Sequence, residues 1–109
     1  MKEIIAIIRT SKVEDTKMAL EATGFFAMTS KRVMGKGKKS IDISDSNGHF
    51  IMQSQMMAKR LIIIEANDED VDKIVTIITL VNSSGAQGDG RIFVIPVLNS
   101  YQISIGKML

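Results

Sequence analysis

The sequence predicts an α+β fold of the ferredoxin-like βαββαβ type, and three observations carry that expectation. Short runs rich in β-branched residues stand at residues 4–8, 61–64 and 92–95. Two stretches between them place apolar residues at helical spacing, and the segments follow one another as strand, helix, strand, strand, helix, strand. With 109 residues the chain suffices for one domain, spanning residues 1–109, and one hydrophobic core.

The first run, Ile4-Ile5-Ala6-Ile7-Ile8, reads as a strand because β-branched side chains pack well on a pleated surface. Ser11 and Glu14 have capping-box spacing, which predicts a helix over residues 13–23 with Val13, Thr16, Ala19 and Leu20 on one face. Gly24 stands where that helix should stop. Residues 25–34 form the second predicted strand, broken by the glycines and positive charge of Gly35-Lys36-Gly37-Lys38-Lys39-Ser40. From 35 to 58 no sustained period exists, so the expectation is a long structureless loop between strands 2 and 3, which in a compact domain is a functional feature. Residues 60–66 give the third strand, and Asn67 can cap a helix whose dipole Asp68, Glu69 and Asp70 complement. Val71, Ile74, Val75, Ile78 and Val81 then share a helical face. Ser83-Ser84-Gly85 ends this helix, Gly88-Asp89-Gly90 makes a tight turn, residues 91–97 form the fourth strand, and 101–105 are a shorter fifth candidate.

The strands at 4–8, 61–64 and 92–95 are apolar at consecutive positions, so both faces of the sheet are expected to be buried. Two helices cover one face. Another subunit is expected on the other, with the C-terminal tail as the competing cover.

Composition narrows the function. Fourteen Lys and Arg against twelve Asp and Glu leave a net charge of +2, too little for broad attraction to nucleic acid or an anionic membrane. Aromatic residues are 5% of the chain, which leaves no stacking platform for RNA on the sheet. The absence of cysteine excludes a disulfide scaffold, a thiolate metal site and a cysteine nucleophile. The start of the chain shows neither a cleavable signal nor a membrane span, and the expected address is cytoplasmic. The one histidine, His49, lies in the long loop without an acid or nucleophile at a catalytic spacing, so neither an enzyme nor a metal site is expected. Phosphate binding is better supported. Gly35-x-Gly37-Lys38-Lys39 and Gly85-x-x-Gly88-Asp89-Gly90-Arg91 place cations beside glycines whose amides can approach an anion, although neither is a Walker A loop. The end of the long loop, with Phe50, Met52, Met56 and Met57, is an adaptable apolar surface suited to a protein partner.

Over its whole length the chain resembles the PII signal transducers of nitrogen regulation. The resemblance is carried by Met1-Lys2, Ala6-Ile7-Ile8, Ala19-Leu20, Gly24, Met28-Thr29, Gly35-x-Gly37, Val71-Asp72 and above all Gly85-x-x-Gly88-Asp89-Gly90-Arg91-Ile92-Phe93-Val94. The tyrosine-free loop and the Ile95-Pro96-Val97, Tyr101 and Gly106 of the C-terminus are similar to the branch encoded beside nitrogenase genes in archaea and anaerobes. The resemblance implies a homotrimer that binds ATP or ADP between subunits. Met28 and Thr29 would lie by the adenine, Gly35, Gly37 and Lys38 by the phosphates, and Gly88, Asp89, Gly90 and Arg91 would complete the cradle formed by the glycine-rich segment 83–91. It implies 2-oxoglutarate with magnesium beside the nucleotide, at Lys39 and Lys59, and a partner such as nitrogenase, or a complex with a paralogue, controlled through the loop 35–58.

Four positions depart from the family pattern: Lys39 replaces a magnesium-ligating glutamine, and Ala86, Gln102 and Ser104 replace basic residues. Each lost charge-assisted contact would weaken phosphate binding by about 1.5–3 kcal/mol. The alternative is therefore a PII-like trimer that has lost effector binding and acts as a constitutive partner or as a subunit of a paralogue complex.

Overall fold

The structure, a computed structural model, describes the backbone of residues 1–36, 41–44, 50–53 and 56–109, and the side chains of residues 1–36 and 56–109. Strand β1 (Lys2–Arg9) leads through a 3-10 turn at Thr10–Lys12 into helix α1 (Val13–Ala22), followed by β2 (Thr29–Lys36), β3 (Ile41–Ser44), β4 (Phe50–Gln53) and β5 (Met56–Ala66). A second 3-10 turn, Asp68–Asp70, opens α2 (Val71–Asn82), and β6 (Gly90–Pro96), β7 (Tyr101–Gln102) and β8 (Lys107–Met108) complete the chain.

The main sheet has the order β2-β5-β1-β6 with every neighbouring pair antiparallel, the ferredoxin-like arrangement expected. Register follows from side-chain alternation. Ile4, Ala6 and Ile8 of β1 pair with Ile64, Ile62 and Arg60 of β5, and the apolar members of that set are closed to solvent beneath the helices. Leu20, Ile74 and Ile78 meet them from α1 and α2, and Val13 and Ala66 close the ends of this core. Burial of one such side chain stabilises by about 1.5–3 kcal/mol, so the core fixes which face of each strand turns inward.

The other face carries Ile5, Ile7, Leu61 and Ile63, half-buried, and Phe93 and Ile95, each 42% exposed. The C-terminal tail does not cover it. Residues 101–108 pair into the short β7–β8 hairpin, and Leu98 and Ile103 are 94% and 97% exposed. The expected fifth strand is thus two residues long, with a partner strand that sequence periodicity does not announce.

Several local expectations shift. Ser11 lies inside the 3-10 turn, and α1 starts from Lys12 with no side-chain cap, so the Ser11–Glu14 box does not form. Asn67 precedes the second 3-10 turn, and its side chain likewise accepts no capping hydrogen bond. Glu14 and Asp15 still occupy the first turn of α1, where the helix dipole favours negative charge. The end of α1 is as expected: Gly24, at φ 93°, and Phe25 donate to the carbonyls of Glu21 and Leu20 at 3.0 Å each, a Schellman closure. That closure commits Phe25 to the core and to Lys73, whose ammonium lies 5.8 Å from the ring centre, so β2 begins only at Thr29 rather than at residue 25.

Within the stretch expected to be structureless, the described residues are in strands. β2 and β5 stay paired out to Lys36 and Met56, and β3 pairs with β4 beyond them. Backbone pairing needs no apolar alternation where side chains stand in solvent, as Met34, Lys36, Met56 and Met57 do, which is why periodicity was silent at the outer end of the β2–β5 pair. Among the described residues no helix is long and apolar enough to cross a membrane.

The packing orders the cost of truncation. Ile74→Ala, which empties a closed site between α2 and the sheet, is expected to destabilise the fold by about 2–5 kcal/mol. Leu80→Ala, on the outer side of the same helix and 76% exposed, is expected to cost under about 0.5 kcal/mol, as urea unfolding of the two variants will measure.

Candidate functional site

β1 ends at Arg9, which lies directly opposite Lys59 of β5, on the sheet face without helices. α2 ends at Asn82, and the chain crosses from Ser83 to β6 in a turn that closes beside these two cations. Arg9 donates through Nη1 to Asp89 Oδ1 at 2.6 Å and through Nη2 to the Gln87 carbonyl at 2.6 Å. Lys59 Nζ donates to the Gly88 carbonyl at 2.7 Å. Two strands therefore hold one turn by charge-assisted bonds, which are roughly twice as strong as neutral ones.

Asp89 organises the turn from within. Its Oδ2 accepts from the Ser84 amide at 2.8 Å and from the Gly85 amide at 3.2 Å, and its Oδ1 also accepts from the Ser84 hydroxyl. Bonds from the Ser84 hydroxyl and then its amide, against a smaller opposing effect of burial and helped by Arg9, hold the Asp89 carboxyl down to about 2. The segment read from sequence as a cradle for an outside anion thus already binds an anion of its own. The Ala86 amide is likewise engaged, by Ser84 Oγ at 3.3 Å.

Two glycines are required by this geometry. At Gly88 the requirement is the backbone, whose φ of 86° is a conformation that other residues rarely adopt; a Cβ there would stand in ordinary contact with Arg9 Nη2 at 3.4 Å and Lys59 Nζ at 3.5 Å. At Gly90, φ is 120° and a Cβ would run into the Ile7 carbonyl oxygen. Arg91 follows, opposite Ile7 on the same helix-free face, exposed and without a carboxylate within ion-pairing distance among the described residues. On the helix side of β6 a groove of about 370 Å³ opens between Val75, Ile78 and Asn82 of α2 and Gly90, Arg91 and Ile92.

The structure brings Gly88, Asp89, Gly90, Arg91 and Lys59 together, so the residue assigned to an effector and those assigned to a nucleotide share one locus. Gly35 stands opposite Met57, and a Cβ on it would contact Lys59 Cγ at 3.7 Å. Met28 and Thr29 do not join them within one chain. Thr29 pairs with Ile63, while Val33 is the β2 residue opposite Lys59, a separation of four positions or about 13 Å. Met28 packs half-buried against the core. Gly37, Lys38, Lys39 and His49 lie outside the described residues, as do the side chains of Phe50 and Met52, whose backbones belong to β4. Met56 and Met57 stand exposed at the start of β5.

Sequence reasoning missed Arg9 and Ser84. Arg9 reads only as the residue that ends an apolar run and Ser84 only as a helix stop. Their partner Asp89 lies eighty positions from Arg9, so topology alone unites them. Among the described residues no group of three or more His, Cys, Asp or Glu is placed to hold a metal ion.

Comparison with known proteins gives a family match over residues 1–107, to the nitrogen regulatory protein P-II family. The chain is 42% identical over 105 residues to a nitrogen fixation nifHD region glnB-like protein 2 of Methanococcus maripaludis, covering 89% of this chain and 87% of that protein. It is 39% identical over 123 residues to a protein of the same description from Methanothermococcus thermolithotrophicus, at 98% and 94% coverage. It is 40% identical over 107 residues to a nitrogen regulatory protein P-II 2 of Methanothermobacter thermautotrophicus, at 98% and 92% coverage.

Two outcomes test the geometry. Gly90→Ala is expected to lower the unfolding free energy by at least about 2 kcal/mol, since strained backbone and a backbone clash coincide there, whereas Gly85→Ala, with open space around it, is expected to cost less. Because the Asp89 carboxyl is depressed, the order it imposes is present above the ordinary carboxylate range and is lost as pH falls through about 2. Carbon NMR of the Asp89 carboxyl is expected to show no titration between pH 7 and 3.

Proposed function

Because the chain belongs to the PII family of nitrogen regulatory proteins, whose members are regulators and not enzymes, we propose that it binds an adenine nucleotide at the Gly88-Asp89-Gly90-Arg91 turn and controls a target protein through segment 35–58. The observation that supports this reading is the charge around the turn. Arg9, Lys59 and Arg91 supply three cations at one end of the helix-free face, and Asp89 is the single carboxylate that the turn itself contributes. Two positive charges remain beside a glycine turn already shaped, which suits a polyphosphate that a neutral turn would not hold.

The separation of Met28 and Thr29 from the turn gives the reading its quaternary form. Thr29 and Arg91 lie on opposite edge strands of the sheet, β2 and β6, and we take the adenine contact at Thr29 and the phosphate contact at Arg91 to come from different copies around one nucleotide. The apolar row Ile5, Ile7, Leu61, Ile63, Phe93 and Ile95 supplies the surface for such copies to meet, and we take the assembly to be a trimer. The relatives named for the nifHD region make nitrogenase the target to test first.

Magnesium-linked 2-oxoglutarate fits the described residues poorly. The one carboxylate at the turn, Asp89, has its oxygens taken by Arg9, Ser84 and Gly85, so a metal finds no protein ligand set there. A carboxylate effector would instead pair with Lys59.

One observation favours the second reading, a trimer without effector binding. The amides of Ser84, Gly85 and Ala86 are already engaged, and Gln102 and Ser104, exposed in the C-terminal hairpin, bring no charge. Calorimetric titration with ATP, ADP and 2-oxoglutarate, with and without magnesium, separates the two. Nucleotide binding that Arg91→Ala weakens about tenfold or more supports the sensor, and unchanged affinity removes the assigned site. Light scattering is expected to give the mass of three chains, and Phe93→Asp, placed in the apolar row, is expected to give that of one.

A further inference from the structure

The β2–β5 ribbon carries a second cationic feature on its other face. Alternation places Arg32, Met34 and Lys36 of β2 on the helix side, opposite Arg60, Ala58 and Met56 of β5. The helices stop covering this side at Arg60, which is half-buried, while Arg32, Met34, Ala58 and Met56 are exposed.

Register sets Arg32 directly opposite Arg60, with Cβ atoms about 5 Å apart, where like charges repel. Neither guanidinium has a carboxylate within ion-pairing distance among the described residues, and residues 29–36 and 56–60 contain no acid at all. The Nε of Arg60 is enclosed and has no hydrogen-bond partner among the described residues. A cation partly stripped of water has less to lose when an anion displaces the rest, so an ion pair formed here is worth more than one on open surface. Beside the two arginines lie Met34, 60% exposed, and Met56, 54% exposed.

We propose that Arg32 and Arg60 anchor a docking surface for an acidic segment of a partner protein, a carboxylate of that segment bridging the two guanidiniums and an apolar side chain lying on Met34 and Met56. A free phosphate or carboxylate would answer the arginines and leave the methionines in water. A peptide answers both, since methionine is an adaptable contact residue. The inference rests on the partner-regulating reading above only for the existence of a partner. It does not involve the nucleotide turn, which lies on the opposite face.

The test uses the full-length protein and a fluorescein-labelled peptide alternating Glu and Leu, followed by anisotropy at about 0.15 M salt, where long-range charge effects are screened. Arg32→Gln and Arg60→Gln are each expected to weaken binding about tenfold, with Met34→Ser weakening it less. Lys17→Gln, which removes the same charge from the outer side of α1, is expected to leave it unchanged. ATP titration of the same variants is expected to match the parent protein, so failure of the nucleotide reading and failure of this one are distinguishable. Thermal melting confirms that each variant is folded, and Arg32→Lys, on an exposed position, serves should Arg60→Gln unfold. The proposal is overturned if the arginine variants bind as the parent does, if Lys17→Gln weakens binding equally, if inorganic phosphate at millimolar concentration displaces the peptide, or if Arg32→Gln dissociates the trimer, which would place these arginines between copies.

Discussion

The contact on which the site depends is the approach of Gly90 to the carbonyl of Ile7. β1 is flanked on both sides, by β5 and β6, and at Ile7–Arg91 and Ile8–Gly90 its pairing with β6 begins. A backbone at φ 120° with no room for a Cβ can lie there only as glycine. Its close approach fixes where β6 starts, and so where residues 84–89 must turn. Asp89 then falls beside the end of β1, where Arg9 can reach it, and Gly88 falls beside Lys59. A slip of one residue in β6 would carry Asp89 to the other face and leave Arg9 unpaired.

Much of this fold could be read from residues because the core strands and helices obey simple periods. The runs around Ile4, Ile62 and Ile92 and the Leu20 and Ile74–Ile78 faces are where burial decides conformation, and there the pattern of apolar residues is the cause of the structure. Gly24 and the Gly88-Asp89-Gly90 turn were legible for a different reason, since positive φ selects glycine locally. Helix starts were not. A 3-10 turn precedes each helix and satisfies the first amides through backbone geometry, so Ser11 and Asn67, good caps by type, have nothing to cap. The β2–β5 ribbon was hidden because strands exposed on both faces need no alternation, and Gly35, Met56 and Met57 look like loop residues in isolation.

The candidate site shows the same division. Glycine spacing marked where the chain turns, but composition cannot tell whether the amides of that turn will be open or engaged, and Asp89 occupies two of them with the chain's own carboxylate. An internal anion of this kind gives rigidity at the expense of capacity, because the turn keeps its shape without ligand and fewer amides are left for a phosphate. What remains for an outside anion is the amides not so engaged and side-chain charge, Arg91 wholly, Lys59 and Arg9 through donors not given to the turn. With three amides already engaged, those cations matter more, which is why the departures at Ala86, Gln102 and Ser104 weigh between the two functional readings.

Lys59 and Arg60 are neighbours on β5 yet face opposite sides of the sheet, one bonded to the Gly88 carbonyl and the other standing across from Arg32. Adjacent residues of a paired strand cannot shift independently, because the backbone that carries both is held by β1 on one side and β2 on the other. A ligand that draws Lys59 away from Gly88 must either change that side chain's rotamer alone or move the strand. Only movement of the strand would alter the spacing of Arg32 and Arg60. Coupling between the Gly88–Arg91 turn and the arginine surface thus requires a two-state element, and the β2–β5 ribbon beyond the last helix-covered pair is the part of the sheet where such a shift meets least resistance from packing.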